Sequence, residues 1–533
     1  MLVVGGGITG VGCALDAASR GLRTALVERD DFASGTSSKS SKLVHGGIRY
    51  LQQRELALVY ENLRERHRIL ENAPHLVRVL PFLIPILTRD GLIDRRIARA
   101  MGAAMWMYDL TGGLRIRKRH RRLTKAEALR HMPTLRRDNV ASAYIYYDCR
   151  TDDARLTLAI ARTAASHGAA IANYTAVIGL LKNEKGKISG ARLEADGDEI
   201  EVRAGVVVNA TGVWSDDVRT MDEGTHPESI RPAKGIHITV PWSKVRNEIA
   251  AIVPVPKDKR SVFVVPWGDT TYVGTTDTDY DGPLDDPQCT PDDIEYLLAA
   301  LNFAIEEPVT RDDVVATWAG LRPLLRTASS ERTADLSRRH GVRVSENGLV
   351  TINGGKLTTY RQMAQDTLDA ASGVVLRRRS KSRTKRLTIV GGADYEAAPE
   401  TAEPSLHEHL GGRYGTEMAS ILDLADAGTN THADLGEALV PGLPYLRAEA
   451  VHAVRHEMAR TLDDVLSRRT RSRLLARDAS VTAAESVAAL LAPELGWDGA
   501  ETARQVESYR AAIQHERASG NLPEVALDAS LGA

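Results

Sequence analysis

The chain has 533 residues, of which 43% are hydrophobic and 26% charged, with a formal net charge of −1. This length predicts two or three domains, and the ordinary composition excludes a disordered or fibrous protein. Because the net charge is close to zero, no overall field attracts nucleic acid, and we predict no nucleic-acid partner. The cysteines lie too far apart for a CxxC metal site, and this usage favours a reducing cytoplasm and no bound metal. They are Cys13, Cys149 and Cys289.

The start of the chain shows no signal peptide, because an apolar strand, Leu2-Val3-Val4, follows Met1 at once. An apolar run at 79–87 is broken by two prolines and is too short to span a bilayer. We therefore expect a cytoplasmic protein. The strand begins so close to Met1 that the true start of the chain is left open.

The first predicted elements form a β-α-β unit. It consists of strand 2–4, helix 11–20 and strand 24–27. Gly5 permits a sharp turn, Gly7 lets backbone N–H groups approach a pyrophosphate at the helix N-terminus, and Gly10 allows close packing of helix on strand. Glu28, at the end of the second strand, suits hydrogen bonds from ribose hydroxyls. The unit predicts a dinucleotide site.

The next stretch alternates between helical and strand patterns. We predict helix 54–72, a helix to Ser166 capped by Asp153, and strands near 169–180, 188–194 and 206–208. From 226 to 325 the pattern is mostly strand, which predicts an antiparallel sheet inserted into the nucleotide domain. Its clearest strands are 236–240, 262–265 and 271–275.

The last part of the chain changes character. Residues 377–386 are basic and polar and are typical of a linker. Beyond them, helical spacing would place five apolar residues on one face of a helix: Val451, Val454, Met458, Leu462 and Val465. The pattern predicts a separate helical domain at 387–533.

Two downstream turns favour FAD over NAD as the dinucleotide. A buried strand at 206–209 runs into Ala210-Thr211-Gly212, a turn of small residues that can approach a cofactor. The segment Gly354-Gly355-Lys356-Leu357-Thr358-Thr359 places glycines before a helix start. Several cofactor-facing turns spread along the chain are what an extended FAD requires.

At this point the sequence resembles a known family, the FAD-dependent glycerol-3-phosphate dehydrogenases. The likeness covers nearly the whole chain, with long motifs in the right order. The matching segments are Gly35–Leu51, Tyr147–Cys149 with Asp152–Leu156, Lys234–Ile238, Val264–Trp267, Gly274–Asp277, Gly320–Leu324, Gly354–Arg361, Arg455–Leu462 and Arg468–Arg471. Because the chain lacks a C-terminal cysteine cluster, it resembles the single-subunit respiratory type more than the anaerobic multi-subunit type.

The resemblance implies an α/β fold of glutathione-reductase-like type. An FAD-binding Rossmann domain carries an inserted antiparallel-sheet substrate domain and is followed by an all-helical C-terminal domain. The FAD-dependent region is 1–376, with FAD-binding segments at about 1–80, 145–225 and 326–376, substrate segments at about 81–144 and 226–325, a linker at 377–386 and the helical domain at 387–533.

The family oxidises sn-glycerol 3-phosphate to dihydroxyacetone phosphate and passes the electrons to a quinone. The resemblance implies catalytic roles for His237 and Arg322, with His237 as the candidate base for the C2 hydroxyl proton; an arginine or a water-mediated route is the competing proton acceptor. It implies substrate contacts from Arg49, Tyr50, Thr275, Arg338 and Lys356, where a phosphate dianion calls for convergent cations. His45 is expected to pack near the flavin.

The implied FAD contacts come from all the cofactor-facing segments of the chain. They are Gly5, Gly7, Gly10, Glu28, Thr36, Ser37, Ser41, Val177, Gly212, Gly355, Lys356, Leu357 and Thr358.

A quinone acceptor implies contact with a membrane. Residues 93–122 combine apolar side chains such as Trp106 and Leu110 with many arginines, which suits an interfacial segment on anionic lipid. An ordinary amphipathic helix with a solvated charge run is the competing interpretation. We expect peripheral attachment at the cytoplasmic face of the cell membrane, and a homodimer is compatible with the sequence.

Other functions remain open at this level. The first alternative is a glycerol-3-phosphate oxidase that passes electrons to oxygen and releases hydrogen peroxide. An amine or 2-hydroxy-acid flavoenzyme is less favoured, because a carboxylate substrate needs fewer cations. A non-catalytic FAD-binding sensor is disfavoured by the same set of cations.

Overall fold

The computed structural model describes residues 1–48, 50, 55–87, 95–256, 258, 260–326, 339–373, 380–396, 405–427 and 434–525. Within these residues the strands build a six-stranded, a three-stranded and a larger mixed sheet, and the helices pack around the first and third of them or form the C-terminal part.

The strands are β1 Leu2–Val4, β2 Ala25–Val27, β3 Leu43–Val44, β4 Val77–Leu87, β5 Arg121–Thr124, β6 Val140–Thr151, β7 Ala170–Ala172, β8 Thr175–Lys182, β9 Ile188–Ala195, β10 Asp198–Arg203, β11 Val207–Asn209, β12 Ile230–Pro241, β13 Ala250–Pro254, β14 Ser261–Trp267, β15 Thr270–Gly274, β16 Thr278–Asp279, β17 Ala316–Leu325, β18 His340–Val344 and β19 Val350–Gly354.

The helices are α1 Ile8–Ser19, α2 Leu56–Asn72, α3 Arg95–Thr111, α4 Lys125–His131, α5 Asp153–Ser166, α6 Ser215–Glu223, α7 Trp242–Val245, α8 Pro291–Ala304, α9 Tyr360–Ala371, α10 Leu406–Tyr414, α11 Met418–Ala427, α12 Arg447–Glu457, α13 Ser472–Leu475, α14 Arg477–Thr482, α15 Ala484–Leu495 and α16 Gly499–Gly520.

The six-stranded sheet has the order β18-β19-β11-β1-β2-β7, and its strands are parallel except for the antiparallel edge strand β18. All three apolar side chains of β1 are buried, as expected for a central strand of a parallel sheet that is covered on both faces. α1 packs on this sheet through small residues, Ala14 and Ala17 among them. The predicted β-α-β unit is confirmed, with the helix starting at Ile8 rather than at residue 11.

The large sheet has the order β16-β12-β15-β14-β13-β4-β6-β3, with β17 paired to β12 and β5 to β6. It confirms an antiparallel sheet in the 226–325 region, joined in parallel to β4 through β13. β12 alternates, so that Ile236 and Ile238 enter an apolar core beneath the sheet while His237 lies on the other face. α8 covers the apolar face and was missed by the strand pattern.

Two local predictions were wrong. The N-cap of α5 is Asp152, whose side chain accepts from the N–H of Arg155, and Asp153 is the first helical residue. The predicted helical face through Val465 is broken, because Met458 ends α12 in the left-handed region at φ +57° and the chain turns before residue 464. Val451, Leu462 and Val465 still share one apolar core, which explains the misleading spacing.

The described part of the predicted linker, 380–386, packs against the nucleotide-binding region. Arg20 donates to the Ser380 carbonyl at 2.7 Å, and the buried Thr384 receives a hydrogen bond from Arg361. Residues 377–379 lie outside the described residues. The division of the chain into domains stays a proposal. Among the described residues, none of the helices combines the length and the apolar character needed to cross a bilayer.

Candidate active site

The predicted cofactor turns follow neighbouring strands of the six-stranded sheet. Gly5 follows β1, Glu28 follows β2, Ala210 follows β11 and Gly355 follows β19, and these four strands are adjacent and parallel. The carboxyl ends of parallel strands lie at one edge of a sheet, which is where such sheets bind ligands. The fold therefore brings together turns that are separated by up to 350 residues in the sequence.

The first of these turns is shaped for a close approach by a ligand. Gly5 has φ +108°, and α1 begins after Gly7 without a side-chain cap, so its first N–H groups are available to an anion. Ser37 Oγ accepts one of them, from Ile8, at 2.8 Å. A Cβ on Gly10 would lie 1.8 Å from the Gly5 carbonyl oxygen. This cradle fits the pyrophosphate of FAD.

We expect Gly10→Ala to remove bound flavin and to lower the free energy of unfolding by about 1–3 kcal/mol, because the added methyl group must push α1 away from β1. The measurement is flavin content per chain after purification, together with denaturant unfolding. Gly205→Ala is the control, since a Cβ there meets no atom within 4 Å. Wild-type flavin content in Gly10→Ala would contradict this role of the turn.

A single segment, residues 35–48 with Tyr50, connects the cofactor turns to the large sheet. Its Thr36 Oγ1 donates to the Leu321 carbonyl at 2.6 Å, one residue before Arg322. Its Ser41 Oγ lies 2.8 Å from His237 Nε2. Its His45 N–H donates to Thr358 Oγ1 at 3.1 Å. The segment that resembles the family's flavin-proximal motif therefore contacts the neighbour of Arg322, His237 itself and the turn after β19.

His237 lies on β12, opposite Trp318 on β17 and Gly274 on β15. The imidazole stacks on the Trp318 ring, with 4.7 Å between centroids and 8° between planes. A Cβ on Gly274 would lie 2.1 Å from the imidazole, so only glycine fits there. The stacked ring and the glycine fix the orientation of the imidazole.

The imidazole of His237 is buried, with 2% of the residue exposed. Burial lowers its pKa well below the usual value, and the positive charges of Lys42 and Arg322 lower it further. His237 is therefore neutral at physiological pH. A neutral imidazole can accept a proton, which is the state a general base requires.

Arg322 lies on β17 on the same face as Trp318, four cross-strand pairs along from the pair that Trp318 forms with His237. Its Nη2 donates to Thr275 Oγ1 at 3.2 Å, and its Nη1 lies 3.5 Å from Asp277 Oδ1. A Cβ on Gly235 would lie 2.5 Å from this guanidinium, so the glycine makes room for it. The predicted residues Arg322 and Thr275 are thus in direct contact.

Lys356 and Tyr50, two predicted substrate residues, form a second pair. The Lys356 ammonium lies 4.0 Å from the centroid of the Tyr50 ring. Two residues later, Thr358 Oγ1 exchanges hydrogen bonds with the backbone of His45. Lys356 therefore lies against the segment that also contains Ser41, through the Tyr50 ring.

The structure places the remaining predicted residues as follows. Both Glu28 oxygens accept backbone N–H groups, from Gly6 at 2.5 Å and Asp30 at 3.0 Å. Val177 on β8 packs against the core under β1, and Gly212 opens the turn after β11 with φ +63°. Arg49 and Arg338 lie outside the described residues. Their roles, like the roles of all the site residues, stay proposals.

Sequence reasoning missed three neighbours of the site. Trp318 stacks on His237, Asp277 faces Arg322, and Lys42 lies 4.8 Å from the Trp318 ring. Trp318 could have been found from the sequence, because side chains alternate between the two faces of a strand and Trp318 and Arg322 therefore lie on one face of β17. Lys42 gave no such signal, because its position depends on contacts with distant residues.

Two family models match the chain. Residues 1–361 match a model described as FAD dependent oxidoreductase. Residues 382–502 match a model described as the C-terminal domain of alpha-glycerophosphate oxidase.

Relatives and a solved structure match nearly the whole chain. The chain is 42% identical to glycerol-3-phosphate dehydrogenase 2 of Mycobacterium tuberculosis, over 98% of this chain and 89% of the relative. It is 38% identical to the mitochondrial glycerol-3-phosphate dehydrogenase of Homo sapiens, over 99% and 75%. The crystal structure of the Bacillus halodurans glycerol-3-phosphate dehydrogenase complexed with FAD matches with TM-score 0.76 and 31% identity, over 96% of this chain and 94% of that chain.

Proposed function

The chain belongs to the FAD-dependent glycerol-3-phosphate dehydrogenase family, and from this premise we propose that it oxidises sn-glycerol 3-phosphate to dihydroxyacetone phosphate and passes the electrons to a membrane quinone. One observation carries the proposal. A buried, neutral histidine and a guanidinium share one face of the large sheet, and the cofactor-facing segment contacts the histidine and the residue beside the guanidinium.

The substrate is a small polyol with a phosphate dianion. Arg322 offers a planar fork of donors for phosphate oxygens, and Thr275 Oγ1 and Asp277 hold that fork in place. Lys356 adds a second cation from the β19 turn, held over the Tyr50 ring. These residues bind and orient the phosphate, so that specificity rests on charge at one end of the substrate.

The chemistry requires removal of a proton from the C2 hydroxyl. His237 accepts this proton at Nε2, the nitrogen that Ser41 Oγ contacts at 2.8 Å. The low pKa of His237 keeps the imidazole neutral, Nε2 is the acceptor in the tautomer that carries its hydrogen on Nδ1, and the stack on Trp318 keeps the ring in one orientation. FAD, when bound, supplies the acceptor for the hydride from C2. Residues of the β1, β2, β11 and β19 turns would hold it.

The alternative acceptor is oxygen, as in an oxidase. The solved structure of the Mycoplasma pneumoniae L-alpha-glycerophosphate oxidase shares the fold at TM-score 0.55 but is 16% identical over 72% of this chain. The test is steady-state turnover with glycerol 3-phosphate and either a quinone analogue or oxygen alone. We expect quinone-dependent turnover with little peroxide, and stoichiometric peroxide release in air would overturn the quinone assignment.

An exposed apolar patch supports the membrane part of the proposal. It comprises Leu56 and Tyr60 of α2 and Trp106, Met107 and Leu110 of α3, and Leu110 is 69% exposed. Basic residues border it: Arg115 lies 5.1 Å from the Tyr60 ring and Arg119 5.0 Å from the Trp106 ring, and Arg117, Lys118, Arg121 and Arg122 follow, exposed. Apolar side chains framed by cations match the surface of an anionic bilayer.

We expect the double change Trp106→Ser with Leu110→Ser to weaken binding to vesicles that contain anionic phospholipid by about tenfold or more, because two large side chains no longer enter the interface. The measurement is co-sedimentation of the flavoprotein with vesicles. Leu406→Ser is the control, since Leu406 is a comparably exposed apolar residue on α10, a helix of the C-terminal region. Equal binding by the double variant and wild type would show that this patch is not the membrane contact.

A further inference from the structure

One buried carboxylate, that of Asp153, bonds to the segment 35–48 on both sides of Ser41. Asp153 is the first residue of α5 and is 0% exposed. Its Oδ2 accepts from the Ser40 N–H at 3.1 Å and from Ser40 Oγ at 2.6 Å. Its Oδ1 accepts from Lys42 Nζ at 3.0 Å. The carboxylate thus holds the residues on both sides of Ser41.

Ser40 and Lys42 are connected to His237 in two ways, through Ser41 and through Trp318. Ser41, between Ser40 and Lys42, lies 2.8 Å from His237 Nε2 through its Oγ, and its carbonyl accepts from Tyr272. The Ser40 carbonyl accepts from Trp318 Nε1 at 3.1 Å, and Trp318 is the ring on which His237 stacks. A displacement of Ser40 or Lys42 therefore moves both neighbours that fix the imidazole.

The C-terminal region supplies the charge that balances Asp153. Arg471 is 1% exposed, and its Nη2 donates to Asp153 Oδ1 at 2.5 Å and to Asp152 Oδ1 at 2.7 Å. Asp153 is buried and the Asp152 side chain is 19% exposed, and two adjacent carboxylates shielded from water in this way repel each other unless a cation lies between them. The pKa of Asp152 is held far below its usual range, with Arg471 as its main cationic neighbour. Without Arg471, the two carboxylates would keep, among the described residues, only Arg413, 3.6 Å from Asp152, and Lys42, 3.0 Å from Asp153, as cationic partners, and the hold on Ser40 and Lys42 would weaken.

Other residues of the same region contact the strands that carry the site. The Leu474 carbonyl accepts from Thr239 Oγ1 at 3.0 Å, two residues after His237. Glu516 Oε1 accepts from the Thr317 N–H at 2.9 Å, next to Trp318. The C-terminal helices therefore support β12 and β17 directly, and Arg471 supports the segment packed against them.

We propose that Arg471 is a positioning residue for the reaction: through Asp153 it fixes Ser40 and Lys42, and through Ser41 and Trp318 it fixes the imidazole of His237. The C-terminal helical region then contributes to catalysis without touching the substrate. The catalytic part of this inference rests on the proposed function, whereas the structural part does not.

The experiment compares Arg471→Gln, Arg471→Lys and Arg477→Gln in the full-length flavoprotein. Arg477 is the matched control, because it is 0% exposed in the same region but pairs with Asp478 and the Pro523 carbonyl. Hydrogen exchange by mass spectrometry follows peptides that cover residues 36–44, whose Ser40 and Lys42 amides are bonded to Asp153 and Ser40. Stopped-flow bleaching with saturating glycerol 3-phosphate gives the reduction rate and the apparent Kd.

We expect exchange in 36–44 to be about tenfold faster in Arg471→Gln, and reduction about 10- to 100-fold slower with an apparent Kd close to that of wild type. Arg471→Lys should recover part of the rate, and Arg477→Gln should match wild type in both measurements. If Arg471→Gln does not fold, Ser40→Ala removes two hydrogen bonds of the same network, from Ser40 Oγ to Asp153 and from the Lys42 N–H to Ser40 Oγ, and should give the same changes at smaller size.

The inference is overturned if exchange in 36–44 is unchanged in Arg471→Gln and Ser40→Ala, or if Arg477→Gln shows the same changes as Arg471→Gln. Failure of wild type itself to bleach would instead overturn the proposed function. In that event the exchange comparison still decides whether Arg471 fixes the segment, so the two failures are distinguishable.

Discussion

Replacement of His237 by Gln is expected to lower kcat by about 10²- to 10⁴-fold, the usual contribution of a general base. Gln retains a polar group beside Ser41 but cannot accept the C2 hydroxyl proton. KM should change much less, because in the proposed site the phosphate is bound by Arg322 and Lys356 rather than by the imidazole. The measurement is steady-state reduction of a quinone analogue at several concentrations of glycerol 3-phosphate.

The control is His75→Gln. His75 is a second buried histidine, 2% exposed, with its pKa lowered to about 4 by burial, and it packs near Tyr395 away from the site. We expect kcat of His75→Gln within about twofold of wild type, since no general base is removed. If His237→Gln retained nearly full kcat, the proton would leave by an arginine or a water, and the assignment of the base would be wrong.

The lowered pKa of His237 also predicts how the kcat/KM of the enzyme depends on pH. Burial and the charges of Lys42 and Arg322 lower its pKa below the usual value of about 6.5. The base form is therefore present above that value and is lost only as the pH falls to the lowered pKa. The ratio of kcat/KM for wild type and His237→Gln cancels the titration of the substrate phosphate. We expect this ratio to stay flat from about pH 8 to about pH 6.

Arg322→Ala is expected to raise KM by about 10- to 150-fold. A hydrogen bond to a charged group contributes about 1.5–3 kcal/mol, and the change removes the bonds to phosphate. Asp277 then lacks the guanidinium 3.5 Å away, and its carboxylate repels the dianion. Arg322→Lys should recover only part of the loss, because an ammonium keeps the charge but not the planar fork.

The control for this change is Arg326→Ala. Arg326 comes four residues later, is more exposed, and pairs with Glu228 at 3.2 Å. We expect its KM to equal that of wild type, and thermal unfolding of both variants shows whether the fold is retained. An unchanged KM in a folded Arg322→Ala would mean that the phosphate binds elsewhere.

The sequence predicts the parts of this protein that depend on local patterns. The β-α-β unit is confirmed because glycine spacing and strand hydrophobicity act within about thirty residues. The turns at Gly212 and Gly355 were also found, since small residues after a buried strand are a local signal. Likewise, the predicted strand 236–240 is confirmed within β12.

The rest depends on contacts between distant parts of the chain. Helical spacing predicted a continuous face through Val465, because it cannot show that Met458 adopts a left-handed conformation. The stack of Trp318 on His237 requires the register of β12 with β17. The ion pairs of Arg471 join residues more than 300 positions apart. Because most arginines lie on the surface, there was no reason in the sequence to expect Arg471 in a buried ion pair.

The most direct test of the account is anaerobic titration of the purified yellow protein, followed by its visible flavin absorbance. We predict that glycerol 3-phosphate bleaches the flavin, whereas glycerol at the same concentration does not, because it lacks the phosphate that we propose Arg322 and Lys356 bind. Bleaching by both compounds alike, or by neither, would contradict the claim that this site oxidises a phosphorylated polyol.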